Sequence, residues 1–247
     1  MPTSVSSPLI ISVVRNHAMY KKCIEDNDFP RGCQLLSIDN SLKNESIPVL
    51  YNRAIKSQPM SSDRWIVFAH EDFEPLENLA GILSQLDKHA IWGPIGAITV
   101  SRWPWFFGGY RQGKLRGRIQ TCWKDGTHNS DAGTKVMLGT KVETLDCMFL
   151  AVHSSLLQES KLLFDEHLTF DLYAEDFSMQ AMFSHGIITR IVPFRCKHHS
   201  AGKFEKRFHI QRNYLKKKYP NDIAVSTTSY FLGGGGSLFW RLQIQIR

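Results

Sequence analysis

Carboxylates and imidazoles stand at three places in this sequence where their spacing suits chemistry on a bound ligand. His70-Glu71-Asp72 follows the apolar run 65–69, Glu175-Asp176 lies at the start of a helix-compatible span over 174–185, and His198-His199 comes shortly after the apolar run 187–193. A carboxylate fixed at the end of a strand suits a hard divalent cation, because magnesium and manganese take one or two protein carboxylates together with phosphate oxygens of a substrate. Asp72 is the candidate for that role. One of His198 or His199 could add an imidazole to the same cation; neighbours on an extended chain point in different directions, so at most one does. Glu175 or Asp176, charged at a helix N-terminus, could take a proton from an attacking hydroxyl. For each of these acids the competing reading is capping of the helix that follows.

Short apolar runs must position these groups. Residues 8–14 end in Arg15-Asn16, residues 33–38 in Asp39-Asn40, and residues 65–69 in His70-Glu71-Asp72. Apolar runs without strict alternation are the pattern of strands buried on both faces of a parallel sheet. Helix-compatible spans at 18–27 and 47–57 separate them, so the beginning reads β-α-β-α-β. Leu76, Leu79, Ile82, Leu83 and Leu86 predict a further helix within 76–90, followed by a strand over 92–100. In open α/β sheets ligands bind at the carboxyl ends of the strands, and all three polar endings fall there.

Later segments are less regular. The stretch 101–139, with Trp103, Trp105 and Trp123, predicts a long loop or lid whose aromatics could stack on a ligand. Strands are expected over 143–152 and 187–193, and a helix over 204–219 stopped by Pro220. The expected organisation is one domain over 1–220 and a tail over 221–247 containing the linker-like Gly233 to Gly236.

Composition narrows the class. Of 247 residues, 43% are hydrophobic and 21% charged, which favours a folded globular chain over a disordered one. The five scattered cysteines form no C-x-x-C pair and suggest neither a disulfide framework nor a zinc knuckle. No run approaches the roughly 18 apolar residues of a membrane span, so a cytoplasmic setting is expected. The net charge of +7 implies an anion-attracting surface, with basic residues concentrated over 102–118 and 197–218. No nucleic-acid-binding module is recognisable and no such partner is expected; peripheral contact with the inner membrane face is compatible with the basic last third.

With these residues in view, the chain resembles the GT-A fold glycosyltransferases, specifically the family-two group and its bacterial polysaccharide branches. The resemblance runs over about residues 9–220. It rests on Ile10-Ile11-Ser12-Val13-Val14-Arg15-Asn16, Leu36-Ser37-Ile38-Asp39-Asn40-Ser41, Tyr51-Asn52-Arg53-Ala54-Ile55, Val67-Phe68-Ala69-His70-Glu71-Asp72 and Phe164-Asp165-Glu166 leading to Ala174-Glu175-Asp176. It implies a Rossmann-like α/β fold with a mostly parallel central sheet flanked by helices and a small antiparallel acceptor-side portion. By the same resemblance, Arg15, Asn16, Asp39, Asn40, His70 and Glu71 line the nucleotide-sugar site, with Asp39 on the base. Asp72 matches the metal acid of the D-x-D motif, joined by His198 or His199, and Asp176 the base of an inverting displacement. His70 stands where the first Asp of that motif is usual. The implied cofactor is Mn2+ or Mg2+, the donor a UDP- or dTDP-sugar, and the acceptor a glycan or lipid-linked hydroxyl. A catalytically silent domain of the same fold, or a basic nucleic-acid-binding protein, are the alternatives.

Overall fold

The computed structural model describes residues 6–57, 63–101, 111–122, 129–200 and 206–234. Trp103, Trp105, Trp123 and the segment from residue 235 onward lie outside them. In chain order the elements are β1 (Leu9–Val14), α1 (His17–Tyr20) running into a π-helical turn (Lys21–Glu25), β2 (Gln34–Asp39), α2 (Ile47–Ser57), β3 (Trp65–Ala69), β4 (Phe73–Pro75) and α3 (Leu79–Leu83). Then come β5 (Ala90–Gly93), β6 (Ile95–Ser101), β7 (Arg111–Cys122), β8 (Asn129–Thr134), β9 (Lys141–Val142), β10 (Thr144–Leu145), β11 (Phe149–His153) and α4 (Ser154–Ser160). The described elements close with α5 (Tyr173–His185), β12 (Ile188–Ile191), β13 (Cys196–His198), α6 (Lys206–Lys218), β14 (Ala224–Val225) and β15 (Phe231–Leu232).

Seven strands form the central sheet in the order β2-β1-β3-β11-β5-β12-β9. The apolar runs of β1, β3 and β11 are buried on both faces. Leu9, Ile11, Val13, Ile66, Phe68, Leu150 and Val152 meet α2, α4, α5 and α6 on one side. Ile10, Val14, Trp65, Val67, Ala69, Phe149 and Ala151 meet α1, α3 and the second sheet on the other.

The pairing corrects the expectation of a mostly parallel sheet. β1 pairs in parallel with β2 and β3, and β5 with β12. β11, however, is antiparallel to both β3 and β5, and β9 is antiparallel to β12. The sheet is therefore mixed. An apolar run reports burial on two faces and is silent on strand direction.

The second sheet is also larger than a small antiparallel portion: six strands, in the order β10-β6-β7-β13-β4 with β8 on β7. The described part of the stretch expected to be a loop is its long hairpin, β7 paired with β6 and β8. Gly117 is needed there: at φ +85°, an added Cβ would lie 1.9 Å from the Pro94 carbonyl oxygen. The strand expected over 143–152 is interrupted between β10 and β11, and the helix expected over 76–90 covers only Leu79–Leu83.

Asn52 clamps α2 to the chain leading into α5. Its Nδ2 donates to the Phe164 carbonyl at 2.8 Å, and its Oδ1 accepts from the Phe164 N–H at 2.9 Å. Phe164 thereby stacks on Phe177 of α5 with ring centroids 4.4 Å apart. With Asn52 only 2% exposed, water cannot replace either bond. Asn52→Ala is expected to destabilise the fold by about 2 kcal/mol, because it leaves a buried N–H and C=O without partners. Urea unfolding checks this; a loss under about 0.5 kcal/mol would contradict the clamp.

Candidate active site

β3 carries the chain to the centre of the sheet edge and stops at Ala69. His70 to Phe73 then form a turn, closed by the Phe73 N–H on the His70 carbonyl at 3.2 Å. His70 is on the α5 side, where its Nε2 lies 2.7 Å from the Tyr173 hydroxyl. Tyr173 is the first residue of α5 and follows Leu172, whose left-handed backbone (φ 60°) costs about 1 kcal/mol or more. The same phenol donates to the Cys147 carbonyl at 3.3 Å, fixing it between β3 and the β10–β11 break.

β13 arrives from the far end of the sequence and pairs with β4, placing His198 opposite Phe73. The His199 N–H donates to the Asp72 carbonyl at 3.0 Å. His198 Nε2 then lies 3.3 Å from Asp72 Oδ1, and His70 Nδ1 lies 3.9 Å from the same oxygen. Ligand-capable atoms of His70, Asp72 and His198 all fall within 4.8 Å of one another. Asp72 Oδ1 and His198 Nε2 are both buried, and at 3.3 Å each is the other's polar neighbour, so the group is closed off from solvent. Two imidazole nitrogens and a carboxylate fit a divalent transition metal.

The electrostatics make Asp72 the anionic centre of the group. Burial alone would raise the Asp72 carboxyl, but His198 and then His70 bring it down to about 2, so it is ionised across the physiological range. Burial lowers His70, with Asp72 opposing. Burial also pulls His198 down, and the contact with Asp72 more than restores it.

His199 does not join this group. Its Nε2 pairs with Glu74 Oε2 at 2.5 Å, separating the two adjacent histidines as extended geometry requires. Glu71 also points elsewhere: its Oε2 accepts the Arg15 and Asn16 N–H groups at 2.5 and 2.7 Å. It thereby ties the end of β1 to the β3–β4 turn. Asn16 caps α1 by accepting from the Met19 N–H.

Asp39 stands at the end of β2 with its side chain 61% exposed. The Ser41 N–H, the Ser41 hydroxyl and His17 hold its carboxyl near 2. Asn40 is spent internally, with both ends of its amide on the backbone of Glu45.

Glu175 and Asp176, adjacent on α5, diverge. Both oxygens of Asp176 are taken by Lys218, at 2.8 and 2.9 Å, and Oδ1 also by the Tyr219 hydroxyl at 2.9 Å, with no exposed surface. Lys218 also reaches Asp165 at 2.6 Å, so the last lysine of the basic run is consumed in anchoring α6 to α5. Glu175 faces Thr227, whose hydroxyl lies 3.3 Å from Oε1, while Oε2 is buried without a partner. Burial, reinforced by the nearby charge of Asp146, pushes the Glu175 carboxyl up to about 8.

Asp146 and Thr227 are the residues that the sequence reading missed. Asp146 accepts from Thr227 at 2.8 Å, and its charge acts on His70, His198 and Glu175 together. An acid inside an otherwise apolar run, Thr144 to Val152, was the available signal. Thr227 lay in the segment expected to be a tail; its described part, residues 221–234, packs on the core through β14 and β15, with the Val225 carbonyl accepting from the Thr144 hydroxyl.

No protein-family model matches the sequence, and no curated protein is similar to it in sequence. Among solved structures, the fold is similar to that of GalNAc-T7 crystallised with UDP, GalNAc and Mn2+, with a TM-score of 0.51 and 8% identity over 80% of this chain and 44% of that one. Weaker likenesses are to S. aureus TarS residues 1–349 (TM-score 0.46, 11% identity, 78% of this chain and 60% of that one) and to A197 from STIV (0.41, 11%, 98% of each). The chain thus spans less than half of the GalNAc-T7 chain. At this identity the likeness carries the fold alone, a GT-A type fold.

Proposed function

We propose that this chain transfers a sugar from a nucleoside-diphosphate donor, a UDP- or dTDP-sugar, to a hydroxyl of a glycan or lipid-linked acceptor. The observation that carries the reading is the convergence of His70, Asp72 and His198 at the carboxyl end of β3 in a GT-A type fold. A divalent cation held by these three residues would neutralise the departing diphosphate. Two nitrogen donors favour Mn2+ over Mg2+, which prefers oxygen ligands.

The remaining residues take roles according to their exposure and to what their polar atoms touch. Asp39, ionised and exposed at the end of β2, accepts hydrogen bonds from the nucleoside. Glu71 shapes the donor site from beneath by fixing the Arg15–Asn16 backbone, leaving the Arg15 side chain exposed towards anionic groups. Tyr173 orients His70 through its hydroxyl.

Glu175 is the proton acceptor for the attacking hydroxyl. Its unpartnered Oε2 and a carboxyl lifted to about 8 match a base that works near neutral pH, where basicity and ionised fraction are both appreciable. Asp176 is a positioning residue: its bonds to Lys218 and Tyr219 hold α5 and thereby Glu175.

Two tests follow. Thermal shift with UDP or dTDP should show a larger rise in Tm with Mn2+ than with Mg2+ or nucleotide alone, and Asp72→Asn should remove the metal-dependent part. Equal shifts with and without metal would count against the site.

Glu175→Gln should lower transfer by about 10²–10⁴-fold while leaving Mn2+ binding intact. In the wild type, kcat/KM should rise with pH and level off above about 8. Stability should move the other way. The folded carboxyl holds its proton more tightly than the unfolded one, so its contribution is full below the unfolded value and is lost as pH rises through about 8. Glu175→Gln should therefore flatten the fall in Tm over that window; a flat wild-type profile would contradict the assignment.

A further inference from the structure

The ends of β4 and β13 present a second set of ligand-capable side chains beside the first, and a third segment completes it. Glu74 lies two residues after Asp72, and His199 one residue after His198. Cys23 comes from the π-helical turn Lys21–Glu25. Their ligand-capable atoms, Sγ, a carboxylate oxygen and an imidazole nitrogen, fall within 4.8 Å of one another. π-Helical turns insert an extra residue that re-aims side chains and are frequent at functional sites. This one buries Cys23 completely.

Glu74 divides its two oxygens. Lys197 Nζ approaches Oε1 at 3.3 Å, while Oε2 faces His199 Nε2 at 2.5 Å. This is the arrangement of a carboxylate fixed from outside by a cation and offering its other oxygen inward. Met19 Sδ lies 3.5 Å from Cys23 Sγ, adding a soft thioether at the edge of the set. The His199 and Glu74 side chains retain slight exposure, which leaves a route for an ion to enter.

We propose that Cys23, Glu74 and His199 form a zinc site, distinct from the His70–Asp72–His198 group and independent of the glycosyltransferase reading. Sulfur, imidazole and carboxylate donors are the ligand set of zinc, with the fourth tetrahedral position open to the Met19 thioether or a water. The thiol disfavours Mg2+ and Mn2+. On binding, the Cys23 S–H bond breaks, an S–Zn bond forms and the proton leaves to solvent. The ion would join α1 and its π-helical turn to β4 and β13, the strands on whose ends Asp72 and His198 sit.

The experiment is titration of full-length, chelator-treated protein with Co2+, followed by absorption. A near-ultraviolet thiolate-to-cobalt charge-transfer band is expected in the wild type. It should vanish in Cys23→Ser and persist in Asp72→Asn, which disables only the other group. Because Cys23→Ser removes a buried side chain, Glu74→Gln, which keeps every cysteine, is the second variant; its Co2+ affinity read from this band should fall at least ~10-fold. Absence of the band in the wild type would leave the cluster as a His–Glu ion pair and overturn the proposal. Persistence of the band in folded Cys23→Ser would do the same.

Discussion

The antiparallel pairing of β13 with β4 is the constraint on which the candidate site depends. It sets His198 opposite Phe73 and brings residues 126 positions apart in the chain to 3.3 Å, as His198 and Asp72. A slip of one residue would exchange His198 for His199 and turn each to the wrong side. The turn after β3 can hold Asp72 in place because both neighbours of that residue are fixed. Glu71 is pinned by two amides at the end of β1, and Phe73 is buried against Phe149 and Phe194. Fixed neighbours thus hold together polar groups that, apart from one another in a buried setting, would be costly.

Two carboxyls in this region are driven in opposite directions by their surroundings. Asp72, flanked by imidazoles, is held near 2; Glu175, buried beside another acid, rises to about 8. Environments that separate titratable groups in this way assign different roles to chemically similar side chains, one a permanent anion and one a group that exchanges protons near neutrality. The charge of Asp146 acts on His70, His198 and Glu175, and Thr227 bridges it to Glu175. Asp176 belongs to a different device, the ion-pair network of Lys218, Asp165, Tyr214 and Tyr219 that locks α6 onto α5.

Much of this was legible in the sequence where one physical cause dominated. Apolar runs at β1 and β3 announced strands buried on both faces, and the polar residues after them marked the sheet edge. Asp72 and the late histidine pair were recognisable as ligand types, and the divergence of His198 from His199 followed from extended geometry. Legibility failed where the deciding contact was remote. Strand direction at β11 leaves no mark on an apolar run. The hydrogen-bonding needs of Glu71 are met by backbone amides at the end of β1, whose proximity only the fold creates. Which of Glu175 and Asp176 faces inward depends on the register of α5 against α6, and a lysine from residue 218 decides it. Thr227 was hidden because β14 and β15 are only two residues long each, too short to read as strands.

The most direct measurement of the central claim is pulsed electron paramagnetic resonance of Mn2+ bound to the full-length protein, read for coupling to histidine nitrogen. The account predicts nitrogen modulation from two imidazoles in the wild type, reduced to one in His198→Ala and unchanged in His199→Ala. Bound Mn2+ without histidine nitrogen coupling, or with coupling that survives loss of both His70 and His198, would contradict it.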